Sequence, residues 1–411
     1  MKDYPRWRLD SVKNALKVRR IVIISGARQT GKTTIAKEAL DKNSVFMPLD
    51  QNNVLDAALD DPAGFVKNES GTMIIDEIQK APKLIPEIKY AVDNDKRPGQ
   101  YLLTGSANIK SLPSVTESLA GRVKNIRLRP LTQGEMLRRP PGFLGRAFAG
   151  KFPKQISGYD KSAIFDMAFR GGYPEAAALS TQSERKSWCA DYMDVLMSRD
   201  LIDIANIKRY DALRRLIEIL SAWSGKFMNL PTICSALGLS RPTAESYINA
   251  LEALYLFERV PPWVKTDYDR VGRSPKMYST DTGFMTSVLG WNKSDVMLDT
   301  DRAGKLMETF VFQELAAQVD LDDAYSLYQY RDRIGREIDF IIERDDGAVL
   351  GVEVKAGHSV SKADFAPQIW FKENMMKNKQ NYVGMILYSG EHVLSFGGGM
   401  LAVPIAALWS E

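Results

Sequence analysis

The segment Gly26-Ala27-Arg28-Gln29-Thr30-Gly31-Lys32-Thr33 places two glycines around four variable residues, then a lysine and a threonine. That spacing suits one kind of chemistry. The glycines let the backbone curl so that its N–H groups converge on phosphate oxygens. A helix starting near Lys32 adds the positive end of its dipole. Lys32 reaches the β- and γ-phosphates of ATP, and the Thr33 hydroxyl reaches Mg2+. Thr34 completes the set expected to hold the nucleotide. Arg28 lies inside the loop at a position the pattern leaves variable.

Met73-Ile-Ile-Asp76-Glu77 supplies acidic partners at the end of an apolar run. Asp76 is expected to hold magnesium through water, and Glu77 to polarise the attacking water as general base. Leu102-Leu-Thr-Gly-Ser106 is a further strand end, where the hydroxyl of Thr104 or Ser106 would sense the γ-phosphate. Arg122 is placed as an arginine finger, in cis or in trans, with an ordinary surface ion pair as the bland reading.

A second set of chemistry-bearing residues lies near the other end of the chain. Glu308, Asp339, Glu353 and Lys355 follow the order E…D…E-x-K. This resembles the PD-(D/E)XK nuclease superfamily. The resemblance implies carboxylates that hold Mg2+, with Glu308 completing the site from a helix and Lys355 beside the metal rather than on it. An amphipathic strand with a solvated charged face fits the same residues.

The geometry needed there is specific. Strands 337–343 and 349–355 flank a turn containing Gly347. A three-residue loop pairs Asp339 with Glu353, Phe340 with Val352 and Ile342 with Leu350. It leaves one wholly apolar face and gathers Glu337, Asp339, Glu343, Glu353 and Lys355 on the other. A slip of one residue would bury those charges, so the hydrophobic pattern should enforce this register.

The elements that must position both sets follow from periodicity. Residues 21–24, 44–50, 72–76 and 100–104 read as strands separated by helical stretches, which predicts a parallel sheet with helices on both faces. Residues 139–145 read as a Pro/Gly-rich loop, and 161–205 as mostly helical. From about 210 to 260 three helices precede a strand. Ser240 caps the third helix, and Pro242 sits in its first turn. That order is the shape of a winged-helix module, with Arg241, Thr243, Ser246 and Tyr247 as candidates for DNA contact. Lys265, Arg270, Arg273 and Lys276 follow as a basic wing. The expected fold class is therefore α/β: a P-loop NTPase core over 1–135, a helical lid or linker over 136–205, a winged helix over 206–275, and a nuclease-like α/β domain over 276–411.

Landmarks across the chain point the same way. They include Gly26–Thr33, Ile75-Asp-Glu77, Leu119-Ala-Gly-Arg-Val123, Gly171-Gly-Tyr-Pro-Glu175, Asp281-Thr-Gly283 and Glu353-Val-Lys355. The chain resembles bacterial and archaeal AAA-superfamily ATPases whose C-terminal half is a domain of unknown function. The resemblance implies ATP binding and hydrolysis, a central winged helix and a nuclease-like end.

Composition constrains the partners. A net charge of +4 on 411 residues permits nucleic-acid contact without demanding it. Two cysteines and two histidines argue against a disulfide framework, a zinc-finger spacing or a His-rich zinc site, and make a reducing cytoplasm the default. The first residues lack the apolar run of a signal peptide, and no run of about 18 apolar residues predicts a membrane span. Two readings follow. One is an oligomeric ATPase that acts on DNA. The other is a nucleotide-dependent switch that binds proteins, its C-terminal domain serving as scaffold.

Overall fold

The computed structural model describes residues 4–105, 121–201, 209–265, 274–376 and 381–410. Among them, three sheets organise the chain. The first contains β1 (Ile21–Ser25), β2 (Val45–Pro48), β3 (Met73–Asp76), β4 (Tyr101–Gly105) and β5 (Val123–Arg127), in the order β2-β3-β4-β1-β5. Every pairing in it is parallel. β1, β3 and β4 are buried along their whole length, as their unbroken Ile, Val and Leu runs require of a sheet covered on both faces. β5 is not evident from the sequence. Its run Val-Lys-Asn-Ile-Arg is half polar because it is an edge strand with one fully buried residue, Ile126.

The second sheet contains β6 (Lys226–Phe227), β7 (Phe257–Val260) and β8 (Lys276–Ser279), antiparallel in the order β6-β8-β7. Three helices accompany it: Tyr210–Ala222, Leu230–Leu237 and Arg241–Ala253. Their ends match their sequence. Asn229 and Ser240 accept the N–H groups of Thr232 and Thr243, and Gly238 ends the middle helix in the left-handed conformation. Because β8 pairs with β7, this unit runs past residue 275, where the sequence pattern suggests a boundary.

The third sheet holds β9 (Tyr325–Arg331), β10 (Glu337–Arg344), β11 (Val349–Lys355), β12 (Tyr382–Tyr388), β13 (Leu394–Gly397) and β14 (Met400–Pro404). Their order is β13-β14-β12-β11-β10-β9. The β10–β11 hairpin adopts the expected register, with Phe340 opposite Val352 and Ile342 opposite Leu350. Arg344 N–H still bonds the Ala348 carbonyl at 2.9 Å, so residues 345–347 form the loop, and Gly347 takes φ 81°. One expectation is corrected. The hairpin does not have one apolar and one charged face. Phe340 and Ile342 pack on the side of the helix Thr300–Val319, while Ile338 and Ile341 join Phe371 of the helix Ala366–Asn374. A bulge against β9 between Ile338 and Ile341 allows this, so the charges collect at the strand ends.

The described residues of the stretch 136–205, expected as a helical lid or linker, pack into cores shared with other parts of the chain. Phe143, Leu144 and Phe165 share a core with Phe310, Leu315 and Leu408. Tyr173, Tyr192 and Met193 share another with Ala27 of the glycine loop and Leu216, Ile248 and Phe257. A part-buried ion network ties the three units together. Arg129, just beyond β5, pairs with Glu258 of β7 and Asp320 after the helix Thr300–Val319, at 2.7 Å each. Burial alone would raise the Glu258 carboxyl, but Arg127 and Arg129 overcome it and hold it at about 2.

Candidate functional site

The glycine loop leaves β1 at Ser25 and enters the helix Lys32–Glu38. Its two glycines are each required. A Cβ on Gly26 would lie 2.2 Å from the Leu128 carbonyl oxygen, and Gly31 caps the helix at φ 92°. Thr30 ties the loop by donating to Ala27 O at 2.8 Å. Lys32 is 5% exposed and lays its ammonium across the loop, 2.7 Å from Ala27 O and 3.1 Å from Gly26 O. The cation thus lies inside the curl of the loop.

Behind the loop, three side chains lock together. Thr33 Oγ1 donates toward both oxygens of Asp76 at 3.0 Å. Thr104 Oγ1 donates to Asp76 Oδ1 and accepts the N–H of Glu77 at 3.1 Å. β4 lies between β1 and β3, so Thr104 stands between the loop strand and the acidic strand. Burial raises the Asp76 pKa, and the two threonine hydroxyls work against that rise. Glu77 sits in the left-handed region at φ 59°, outside the regular strand, and its Oε2 accepts from Gln79. A hydroxyl and a buried carboxylate in contact are a hard oxygen donor set, so Thr33 and Asp76 fit magnesium.

Arg6 is also part of this site. Its guanidinium donates to Thr30 O at 2.5 Å and to Arg129 O at 2.6 Å, and its Nε pairs with Glu135 at 3.2 Å. Sequence reasoning misses it, because the contact joins the N-terminal segment to the loop across 24 residues with no local pattern to announce it.

Of the other expected residues, one cannot be placed and one stands apart from the loop. Ser106 lies outside the described residues. Arg122 precedes β5, and its carbonyl accepts from Ile21 N–H at the start of β1, the end of the sheet away from the glycine loop. Its guanidinium pairs with Asp93 at 2.5 and 3.1 Å. A finger acting in cis is therefore ruled out by position.

The C-terminal carboxylates do come together, around an unexpected partner. Lys276 of β8 is 1% exposed. Its ammonium lies 2.9 Å from Glu308, 2.5 Å from Glu337 and 3.0 Å from Asp339. Asp339 also accepts Val354 N–H at 3.0 Å, where the hairpin ladder ends. Tyr278 donates to Glu308 at 2.6 Å. Burial pushes the Glu308 carboxyl to about 7, with Asp339 adding to the rise and Lys276 opposing it. The Glu353 carboxyl is raised well above its ordinary value, by burial first and then by Asp339. Lys355 points elsewhere and pairs with Asp364. Among the described residues no cluster of His, Cys, Asp and Glu is arranged to hold a metal.

Lys276 is consequently not part of a solvent-facing basic wing. Arg270 and Arg273 lie outside the described residues, and Lys265 is exposed. On the helix Arg241–Ala253, Tyr247 is 4% exposed and belongs to the core rather than to a contact face. Arg241 is bound to Glu245 at 3.1 Å, and Ser246 is exposed. Among the described residues no helix is long and apolar enough to cross a membrane.

The glycine loop and Asp76 fall within a stretch that matches a known domain. Residues 18–137 match an AAA domain, 161–295 a domain of unknown function (DUF8612), and 303–408 another (DUF4143). Uncharacterised proteins of Mycobacterium tuberculosis and Mycobacterium bovis are each 27% identical over 396 residues, which is 96% of this chain and 82% of theirs. An uncharacterised protein of Methanocaldococcus jannaschii is 21% identical over 354 residues, 81% of this chain and 74% of its own. Among solved structures, a Thermotoga maritima RuvB variant aligns with 62% of this chain and 86% of its own at 20% identity and a TM-score of 0.28. A STAND ATPase with a tetratricopeptide repeat sensor from Pyrococcus horikoshii aligns with 76% of this chain and 45% of its own at 13% identity and a TM-score of 0.22. Residues 18–137, which carry the glycine loop, Asp76 and the parallel sheet, are thus similar to an AAA domain.

Proposed function

We propose that this protein binds ATP with Mg2+ on Gly26–Thr34 and hydrolyses it, with Glu77 as general base. The observation that carries this reading is the contact of Thr33 with Asp76, with Glu77 next in the chain and fixed through its own N–H on Thr104. Lys32 meets the phosphates, while Thr33 and Asp76 hold the metal, which supplies charge neutralisation when bound. Glu77 takes a proton from the attacking water, and Thr104 keeps the base and Asp76 in one frame. Steady-state hydrolysis tests this directly. Lys32→Ala should lose tight nucleotide binding, and a wild-type rate in Glu77→Gln would remove Glu77 from the role. Assembly into a homo-oligomer belongs to the same reading, with Arg122 acting on a neighbouring copy. Activity per protomer should then fall on dilution.

The partner is proposed to be DNA. The order helix–strand–helix–helix–strand–strand, with the sheet β6-β8-β7, supports a winged-helix module. Hydrolysis stimulated by DNA, with binding that weakens steeply in salt, tests it.

For the C-terminal domain, Lys276 favours the second reading. The hairpin pairs Phe340 with Val352 and Ile342 with Leu350, but the nearby carboxylates Glu308, Glu337 and Asp339 surround a lysine ammonium. The domain then acts as scaffold for a nucleotide-dependent switch, and a protein partner replaces DNA if hydrolysis ignores DNA.

A further inference from the structure

A cavity of about 630 Å³ lies between the N-terminal segment, the helix Gln133–Met136 and the helices Lys161–Arg170 and Gln182–Val195. No residue of the glycine loop lines it. Its polar lining is rich in donors that lack acceptors. Gln133 is 1% exposed, and its Nε2 has no hydrogen-bond partner. Arg185 donates from Nη1 to Leu179 O at 2.8 Å, while its buried Nε is unpartnered. Among the described residues no ion pair holds Arg170.

The charges are unbalanced in the same direction. Lys293 and Asp166, also in the wall, neutralise one another at 2.6 Å. Among the described residues of the wall, three cations against one carboxylate leave two positive charges, Arg170 and Arg185. The two guanidiniums are close enough to oppose each other: burial first, and Arg170 next, lower the Arg185 pKa. Native structures seldom leave buried donors unmet or like charges facing each other without a reason.

We propose that this cavity binds a small phosphate monoester. Its dianion carries the charge that Arg170 and Arg185 lack. Its oxygens accept from guanidinium forks and from the Gln133 amide together. Met136, Leu137 and Phe169 offer an apolar wall to the body of the ester, and the volume suits a small molecule. The proposal is independent of ATP hydrolysis.

Calorimetric titration of phenyl phosphate, with inorganic phosphate in parallel, tests it in wild type and in Lys32→Ala, where the glycine loop no longer contributes. Phenyl phosphate should bind both proteins. Adding Arg170→Gln or Arg185→Gln to Lys32→Ala should weaken it at least about tenfold, the effect of removing one charge-assisted hydrogen bond. Gln133→Leu should weaken it without changing charge. Phenyl phosphate should also raise the unfolding midpoint of Lys32→Ala and leave that of the Arg185→Gln double variant unchanged, which separates a failure to bind from a failure to fold. Absence of binding to Lys32→Ala, or unchanged binding in the arginine variants, would overturn the proposal.

Discussion

Lys276 Nζ lies 3.0 Å from Asp339 Oδ1, and the two residues belong to different sheets. The ammonium therefore does two things. It neutralises carboxylates that would otherwise repel one another, and it fastens the central sheet to the hairpin. Burial opposes a charged lysine, but the acidic neighbours reverse the balance and keep its pKa well above the ordinary value.

Lys276→Met should expose this arrangement. Removing one partner of a buried ion pair costs about 3–5 kcal/mol, because the other charge stays behind. The unfolding midpoint should fall by several degrees. If the carboxylates accept any cation, millimolar Mg2+ should restore part of that stability in Lys276→Met and do nothing for wild type. Failure of Mg2+ to help would leave the cluster as a fastening alone.

Thr104 offers a sharper probe of the nucleotide site than its neighbours. Thr104→Val keeps the shape of the side chain and deletes the hydroxyl that donates to Asp76 and accepts from Glu77 N–H. Turnover should fall about 10–100-fold while the affinity for ATP changes little, since the phosphate contacts remain. Glu77→Gln should fall further with binding intact. Equal reductions of binding and turnover in Thr104→Val would mean that the hydroxyl only supports the fold.

Much of the first site was legible because its chemistry is local. The glycine loop, Asp76 and Glu77 each declare themselves in a few consecutive residues, and the strand before each is an unbroken apolar run. The hairpin register was legible for the same reason, with Gly347 setting the loop. Arg6 and Lys276 were not legible, because each acts through partners far away in sequence: Arg6 on Thr30 and Glu135, Lys276 on Glu308, Glu337 and Asp339. A lysine in a basic stretch looks like a surface charge until the fold supplies carboxylates around it. Whether Arg122 could act in cis was not legible either, since nothing in its neighbouring residues indicates which end of β5 it occupies.

The basic segment can now be tested without Lys276. If the central module contacts DNA, replacing Lys265, Arg270 and Arg273 with Ser should reduce the slope of log affinity against log salt by about 0.9 for each phosphate no longer neutralised. Lys276→Met should leave the slope unchanged, because a side chain 1% exposed has no access to a phosphate. A slope insensitive to the three substitutions would move the module to a docking role.

Glu314 makes the pH response of the fold predictable. It is 0% exposed, accepts Gln133 N–H at 2.8 Å on Oε1, and has no partner on Oε2. Burial pushes its pKa from 4.5 to about 8, with the Gln133 N–H opposing the rise and Glu135 adding to it. Between those values the folded state keeps a proton that the unfolded chain has released. Stability from this group is therefore fully present below about 4.5 and falls as pH rises through about 8. Asp281, raised to about 6 by burial, acts in the same direction. Glu314→Gln keeps an acceptor for Gln133 N–H and has no charge to bury. Wild type and variant should unfold at nearly the same denaturant concentration near pH 5. By about pH 8.5 the variant should be the more stable, by an amount on the order of a few kcal/mol. A difference that does not grow with pH would show that Glu314 is ionised in the folded protein, and that an unseen partner stabilises its charge.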